Sequence, residues 1–193
     1  MLSEPILVVA QIVNAFDTLG VEYVVGGSLA SSVYGIPRAT QDVDLVAKMN
    51  AAHAEPLARL LRSDFYVDVD MILDAVRRRA SFNVIHLATM FKADVFVMKG
   101  DSWSREEMQR ARAEELTGPQ GPLTIRFASP EDTLLHKLVW YRLGNEISDR
   151  QWGDILGVFK VQGSLLDDEY LDRWAAALDV ADLLARARSQ GSS

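Results

Sequence analysis

Apolar and polar positions alternate along the chain in two rhythms, and these divide it into elements. "MLSEPILVVAQIVNAF" reads as an amphipathic helix that Ser3 can cap and Gly20 stops, rather than as a signal peptide. "VEYVVG" is β-branched, aromatic and ended by glycine, the mark of a buried strand. "SLASSVYG" (28–35) predicts a short helix of small residues that Pro37 prevents from continuing, so 36–41 is a loop before the strand "DVDLVA". A helix follows over 50–63, with Pro56 predicting a kink or a later start. "FYVDV" predicts a short strand, "MILDAVRRR" a helix, and "FNVIHL" and "KADVFVM" two adjacent strands. Residues 103–115 read as a charged helix. "GPQGP" (118–122) is the strongest break in the chain, ahead of a last strand, "LTIRFA".

From Ser129 the rhythm is helical throughout. "SPEDTLLHKLVWYRLG" has Ser129 as N-cap, Pro130 in the first turn, acids next and Gly144 as terminator. Further helices are predicted over 148–162, 167–178 and 180–189, with "SQGSS" as a frayed tail. The pattern is therefore a mixed α/β part, residues 1–128, followed by a helical bundle, residues 129–193.

Composition narrows the functional classes. The chain has 193 residues, 49% of them hydrophobic and 24% charged, an ordinary globular balance. It has no apolar run of bilayer length and no cysteine, so we expect no membrane partner, no disulfide, no thiolate zinc site and a cytoplasmic location. The net charge is −7, which argues against a protein that lives on a nucleic acid backbone. Local basic patches remain at Arg77–Arg79 and at Arg105, Arg110 and Arg112, with a solvated helix face as the alternative reading of each.

The candidate chemistry lies in "GGSLASSVYGIPRATQDVDL" (26–45). Residues two apart on a strand share a face, so Asp42 and Asp44 would present carboxylates about 6 to 7 Å apart. Hard cations such as Mg²⁺ take such oxygen ligands and leave positions for water and phosphate. Acids at this spacing are also common on solvated strands, as Asp68 and Asp70 in "FYVDVDM" illustrate. The difference is what precedes Asp42: a buried strand, then Gly26-Gly27-Ser28 opening a helix, whose N–H groups and hydroxyl suit an anion. Asp94, inside the strand "KADVFVM", needs a partner if buried. A metal shared with Asp42 and Asp44 would serve, and so would an ion pair to Lys92 or Arg38.

With these residues the chain resembles the DNA polymerase β-like nucleotidyltransferase superfamily: a strand, Gly-Gly-Ser, a short helix, an Asp-x-Asp strand and a later acid on a strand. The "R-x-T-x-D-x-D" run of Arg38, Thr40, Asp42 and Asp44 is similar to small stand-alone bacterial members, among them abortive-infection-type toxin and antibiotic nucleotidyltransferases. In the toxin-like branch a further motif follows, and Pro130-Glu131-Asp132, Lys137, Arg142 and Asp154 resemble it. The chain departs from that branch at Arg150-Gln151, where an Arg-Asp pair is usual.

The resemblance implies an α/β (α+β) nucleotidyltransferase fold, a mixed sheet flanked by helices and followed by a C-terminal helical bundle. It implies transfer of a nucleoside monophosphate from an NTP to an acceptor hydroxyl on RNA, protein or a small molecule, with release of pyrophosphate. Asp42, Asp44 and Asp94 would hold two Mg²⁺ ions and carry catalysis, and Gly26, Gly27, Ser28, Arg38, Thr40 and Lys137 would bind nucleotide phosphates. A non-catalytic regulatory module that binds a cognate protein, as in a toxin–antitoxin pair, is the alternative on the same fold. His53, His86 and His136 have no metal-ligand spacing, and Trp140, Trp152 and Trp174 read as core packing.

Overall fold

In the computed structural model, residues 4–118 and 121–191 are described. The elements in chain order are α1 (Glu4–Leu19), β1 (Tyr23–Val25), α2 (Gly27–Tyr34), β2 (Asp42–Ala47), α3 (Ala54–Leu61), β3 (Phe65–Tyr66), α4 (Val69–Arg78), β4 (Ser81–His86) and β5 (Lys92–Val97). They continue with α5 (Ser102–Arg110), β6 (Arg112–Gly118), β7 (Gly121–Phe127), α6 (Pro130–Leu143), α7 (Asp149–Gln162), α8 (Asp168–Ala177) and α9 (Ala181–Gly191). Ser3, the expected first cap, lies outside the described residues, as do Pro119 and Gln120 in the "GPQGP" break.

These elements form two compact units. The first takes the chain up to Gly26 together with Thr40–Phe127, and the second takes Gly27–Ala39 together with the chain from Ala128 on. The α/β part and the helical part anticipated from the sequence are both present, but α2 groups with the C-terminal helices. Its small residues let it pack against α6 and α7.

The first unit is built on a mixed sheet of seven strands among the described residues, ordered β3-β4-β5-β2-β1-β7-β6. At its centre β2 runs parallel to β5 and antiparallel to β1, and β1 runs parallel to β7. Strict alternation on β2 buries Val43, Leu45 and Ala47 on one face and turns Asp42 and Asp44 to the other. The buried face packs under α1, whose Val9, Ile12, Val13 and Phe16 are fully enclosed. Each such side chain contributes about 1.5–3 kcal/mol by leaving water. On the opposite face a smaller apolar cluster of Val24, Met98 and Met108, with Val46 against it, lets α5 cover one end.

Two expectations about the first unit are corrected by the structure. The helix expected over 103–115 ends at Arg110, and residues 112–118 form β6, paired antiparallel with β7 from Arg112↔Phe127 to Gly118↔Gly121. Seven residue pairs of ladder outweigh the modest helical preference of Glu114 and Glu115. The strand expected to reach Asp68 stops at Tyr66, because Asp68 caps α4 by accepting from the Met71 amide at 2.8 Å. The helix expected over 50–63 takes the later start that Pro56 suggested: a 3₁₀ turn at Ala51–His53 gives way to α3 at Ala54, with Pro56 in its first turn.

The second unit packs α2 and α6–α9 around Leu134, Leu135, Leu138, Ile155, Val158 and Leu171. Helix α6 buries nine of its fourteen residues, including Asp132, which accepts from Tyr170 Oη at 2.6 Å and from Ser129 Oγ at 2.7 Å. Trp140, expected in the core, is half exposed, whereas Trp152 lies against Tyr141 with ring centroids 5.0 Å apart. Helix α9 runs to Gly191, so Ser189 and Gln190 are helical rather than frayed.

The approach of α2 to α7 depends on a missing side chain. A Cβ on Gly35 would lie 2.8 Å from the Ser31 carbonyl oxygen and 2.9 Å from Gly157 C and Val158 N, all of them backbone atoms. Gly35→Ala should therefore lower stability by about 1–3 kcal/mol, as overpacking does. Gly153, inside α7 with open space around it, is the contrast: Gly153→Ala should raise stability by up to about 1 kcal/mol. Urea midpoints of the two variants check both signs.

Candidate functional site

The register of the central strands decides where the acids stand. Asp44 is opposite Asp94 and Asp42 is opposite Lys92 in the parallel β2–β5 pair, and Asn83 of β4 is opposite Asp94 on the other side. Paired residues share a face, so the three aspartates stand together on the side of the sheet away from α1. Asp94 is half-buried, and its Oδ2 receives Lys92 Nζ at 2.7 Å. Of the partners open to Asp94, the ion pair to Lys92 is in place. The Lys92 ammonium is held above the usual lysine range chiefly by that hydrogen bond, against burial, with the charges of Asp94, Asp42 and Asp44 adding to it.

Asp42 is oriented by its own loop. Thr40 Oγ1 donates at 2.9 Å to Asp42 Oδ1 and lies 2.9 Å from its carbonyl oxygen. Thr40 thus orients the Asp42 carboxylate. As they stand, no three His, Asp or Glu side chains among the described residues form a group that could hold a metal ion. The chemistry of the donors nevertheless fits one: three hard carboxylates share a face, and an ammonium already supplies positive charge to all three.

The glycine turn leaves the sheet beside these acids. The Gly26 amide donates to the Asp44 carbonyl oxygen at 2.8 Å, and Gly27 has φ +59°, a conformation costly for any side chain. Helix α2 begins at Gly27.

In the second unit Ser28, Arg38, Lys137 and Asp154 form one network. Arg38 Nε and Nη2 grip Asp154 at 2.7 and 2.9 Å, Arg38 Nη2 donates to Ser28 Oγ at 2.6 Å, and Lys137 Nζ reaches Asp154 Oδ2 at 2.7 Å. The fork geometry suits arginine on a carboxylate. Lys137 and Asp154 are both largely buried, so Lys137 is not a solvated surface lysine. Burial works to raise the Asp154 carboxyl, but the hydrogen bonds from Arg38 and Lys137 hold it below the usual carboxylate range. Arg142 is elsewhere, paired with Glu146 and Asp182. Asp154 came into view from sequence only through the motif resemblance. Its partner Arg38 is 116 residues away, and no local pattern links them.

No family model and no curated protein matches the chain. Solved structures do. It is similar to an antigenic nucleotidyltransferase-like protein from Paracoccidioides brasiliensis, with 18% identity over 98% of this chain and 94% of that one and a TM-score of 0.51. It is also similar to ANT(2'')-Ia in complex with adenylyl-2''-tobramycin, with 12% identity over 92% and 98% of the two chains and a TM-score of 0.57. A putative nucleotidyltransferase from Thermotoga maritima matches at 17% identity over 77% and 92%, with a TM-score of 0.51. The chain has a nucleotidyltransferase-like fold.

Within this nucleotidyltransferase-like fold, Asp154 should carry stability that acid removes. A carboxylate whose pKa is lowered by folding stabilises the protein above its unfolded value of 3.8, and the contribution is lost as pH falls through the folded value. Asp154→Asn should cost about 3 kcal/mol at pH 7, because two largely buried cations lose their counter-charge. It should also flatten the loss of stability below about pH 4. Thermal unfolding of both proteins between pH 3 and pH 7 checks the size and the slope.

Proposed function

We propose that the protein is an NTP-dependent nucleotidyltransferase that moves a nucleoside monophosphate to an acceptor hydroxyl and releases pyrophosphate. The observation that carries this reading is the placement of Asp42, Asp44 and Asp94 on one face of adjacent strands, with the Gly26 amide bonded to the Asp44 carbonyl. The fold shared with solved nucleotidyltransferases supports it.

In this reading Asp42, Asp44 and Asp94 hold Mg²⁺, which would supply charge stabilisation to the attacking and leaving oxygens of the transfer. Gly27 and Ser28 bind the phosphates through backbone N–H and hydroxyl. Thr40 keeps the Asp42 carboxylate oriented. Arg38 and Lys137, held by Asp154, add positive charge near Ser28. The acceptor oxygen forms its bond to the α-phosphorus as the bond to the bridging oxygen breaks. Pyrophosphate leaves, and the acceptor proton passes to a carboxylate, a role the proposal gives to Asp94. The net charge of −7 favours a small molecule, a protein or a short RNA end over an extended nucleic acid as acceptor.

The Lys92–Asp94 ion pair favours a second reading, a regulatory or partner-binding module in which the acids are neutralised within the protein. Calorimetric titration with each Mg-NTP, with and without EDTA, separates the two: metal-dependent binding is the outcome expected of the enzyme, and no binding to any NTP is that of the module. For the enzyme, Asp42→Asn and Asp44→Asn should each lower pyrophosphate release by at least about a hundredfold with unfolding midpoints unchanged. Turnover by the double variant at the parent rate would remove these residues from the site.

A further inference from the structure

The sequence singles out Arg77–Arg79 and Arg105 without giving them a task, and the structure divides them. Arg77 and Arg78 turn outward to Asp74. Arg79 has φ +53°, which breaks it away from α4 and lets its Nη1 donate to the Met98 carbonyl oxygen at 2.7 Å. Arg105, from the first turn of α5, donates through Nη1 to the Gly100 carbonyl oxygen in the same loop. Both arginines, each donating to a carbonyl of the 98–100 loop, line one cavity of about 520 Å³. It lies wholly within the first unit, where β2 and β5 end.

The cavity is cationic in an acidic protein. Lys48, Arg79 and Arg105 against Glu22 leave +2 (three minus one) with His53 neutral. The Lys48–Glu22 pair is 2.6 Å long and more than half exposed on the lysine side, the class of ion pair that contributes little and exchanges readily. His53 Nδ1 accepts from the Asn50 amide at 3.2 Å, so its neutral ring carries the proton on Nε2 as a further donor. Met49 and Met98 supply an adaptable apolar surface. The volume falls in the range of small-molecule sites and exceeds what one inorganic anion needs. Lys48 and Met98 each lie four residues beyond the nearest aspartate, Asp44 and Asp94, about 13 Å along the strand, so this cavity is distinct from the carboxylate cluster.

We propose that this cavity binds a small phosphate ester, with the phosphate held by Arg79, Arg105 and Lys48 and the body of the ligand lying on Met49 and Met98. Guanidinium groups already turned toward the loop can present their remaining N–H donors to phosphate oxygens, a charge-assisted contact. Nothing in this proposal depends on the nucleotidyl-transfer reading.

AMP and inorganic phosphate are the probes, titrated in EDTA into the full chain carrying ¹³C-methyl methionine. EDTA keeps any metal-dependent nucleotide binding at the aspartates out of the measurement. AMP should shift the Met49 and Met98 methyl signals with a millimolar or tighter Kd, and phosphate should bind about tenfold more weakly. Arg105→Gln, an exposed position, should weaken AMP about tenfold, and Lys48→Gln should do likewise. Methyl signals unmoved at about 10 mM AMP overturn the site, as does AMP affinity unchanged in both variants. Equal affinity for AMP and phosphate overturns the assignment of the methionines to the ligand body.

Discussion

The parallel register of β2 on β5 is the constraint on which the rest of the first unit depends. Side chains alternate across a strand, so a slip of β2 by one residue would carry Asp42 and Asp44 into the apolar layer beneath α1, away from Asp94, and bring Val43 and Leu45 out to water. Burying two carboxylates without counter-charge is far costlier than losing a few ladder bonds. The hydrophobic alternation that folds the sheet therefore also gathers the acids: one pattern serves the core on one face and the candidate chemistry on the other. Lys92 belongs to the same arrangement, since its place opposite Asp42 brings an ammonium to the carboxylates that would otherwise repel one another.

The second unit answers an equivalent problem with ions instead of apolar contact. Asp154, Arg38 and Lys137 are taken largely out of water, and the forked arginine contact with the added lysine satisfies the carboxylate. Ser28 is tied to the same arginine, so the start of α2 is fixed by a residue on α7. Gly35 allows this, because only a residue without Cβ lets α2 come so near the α7 backbone.

The similarity to solved nucleotidyltransferases is one of backbone architecture at identities of 12–18%. At that distance the fold persists because many sequences satisfy the same alternation and the same turn, whereas chemistry rests on individual side chains. The carboxylate face, the ion network and the cationic cavity are properties of this chain's own residues. Among the described residues no helix is long and apolar enough to cross a membrane.

What could be read from the sequence was local. Strand alternation put Asp42 and Asp44 on one face, Pro37 and Gly35 bounded the short helix, and Ser129-Pro130 marked the start of α6, each through a period or a cap that acts within a few residues. The strand β6 was hidden because its partner β7, not its own composition, keeps it extended. Asp68 reads as a strand residue in sequence because a capping aspartate and a strand aspartate differ only in the turn of helix that follows. The choice of Lys92 for Asp94, the joining of Arg38 to Asp154, and the division of Arg79 and Arg105 from their arginine neighbours were decided only in the tertiary structure. The physical reason is range: periodicity and capping are set by neighbours in sequence. A salt bridge or a cavity wall is set by which distant backbones the packed core brings within a few ångströms.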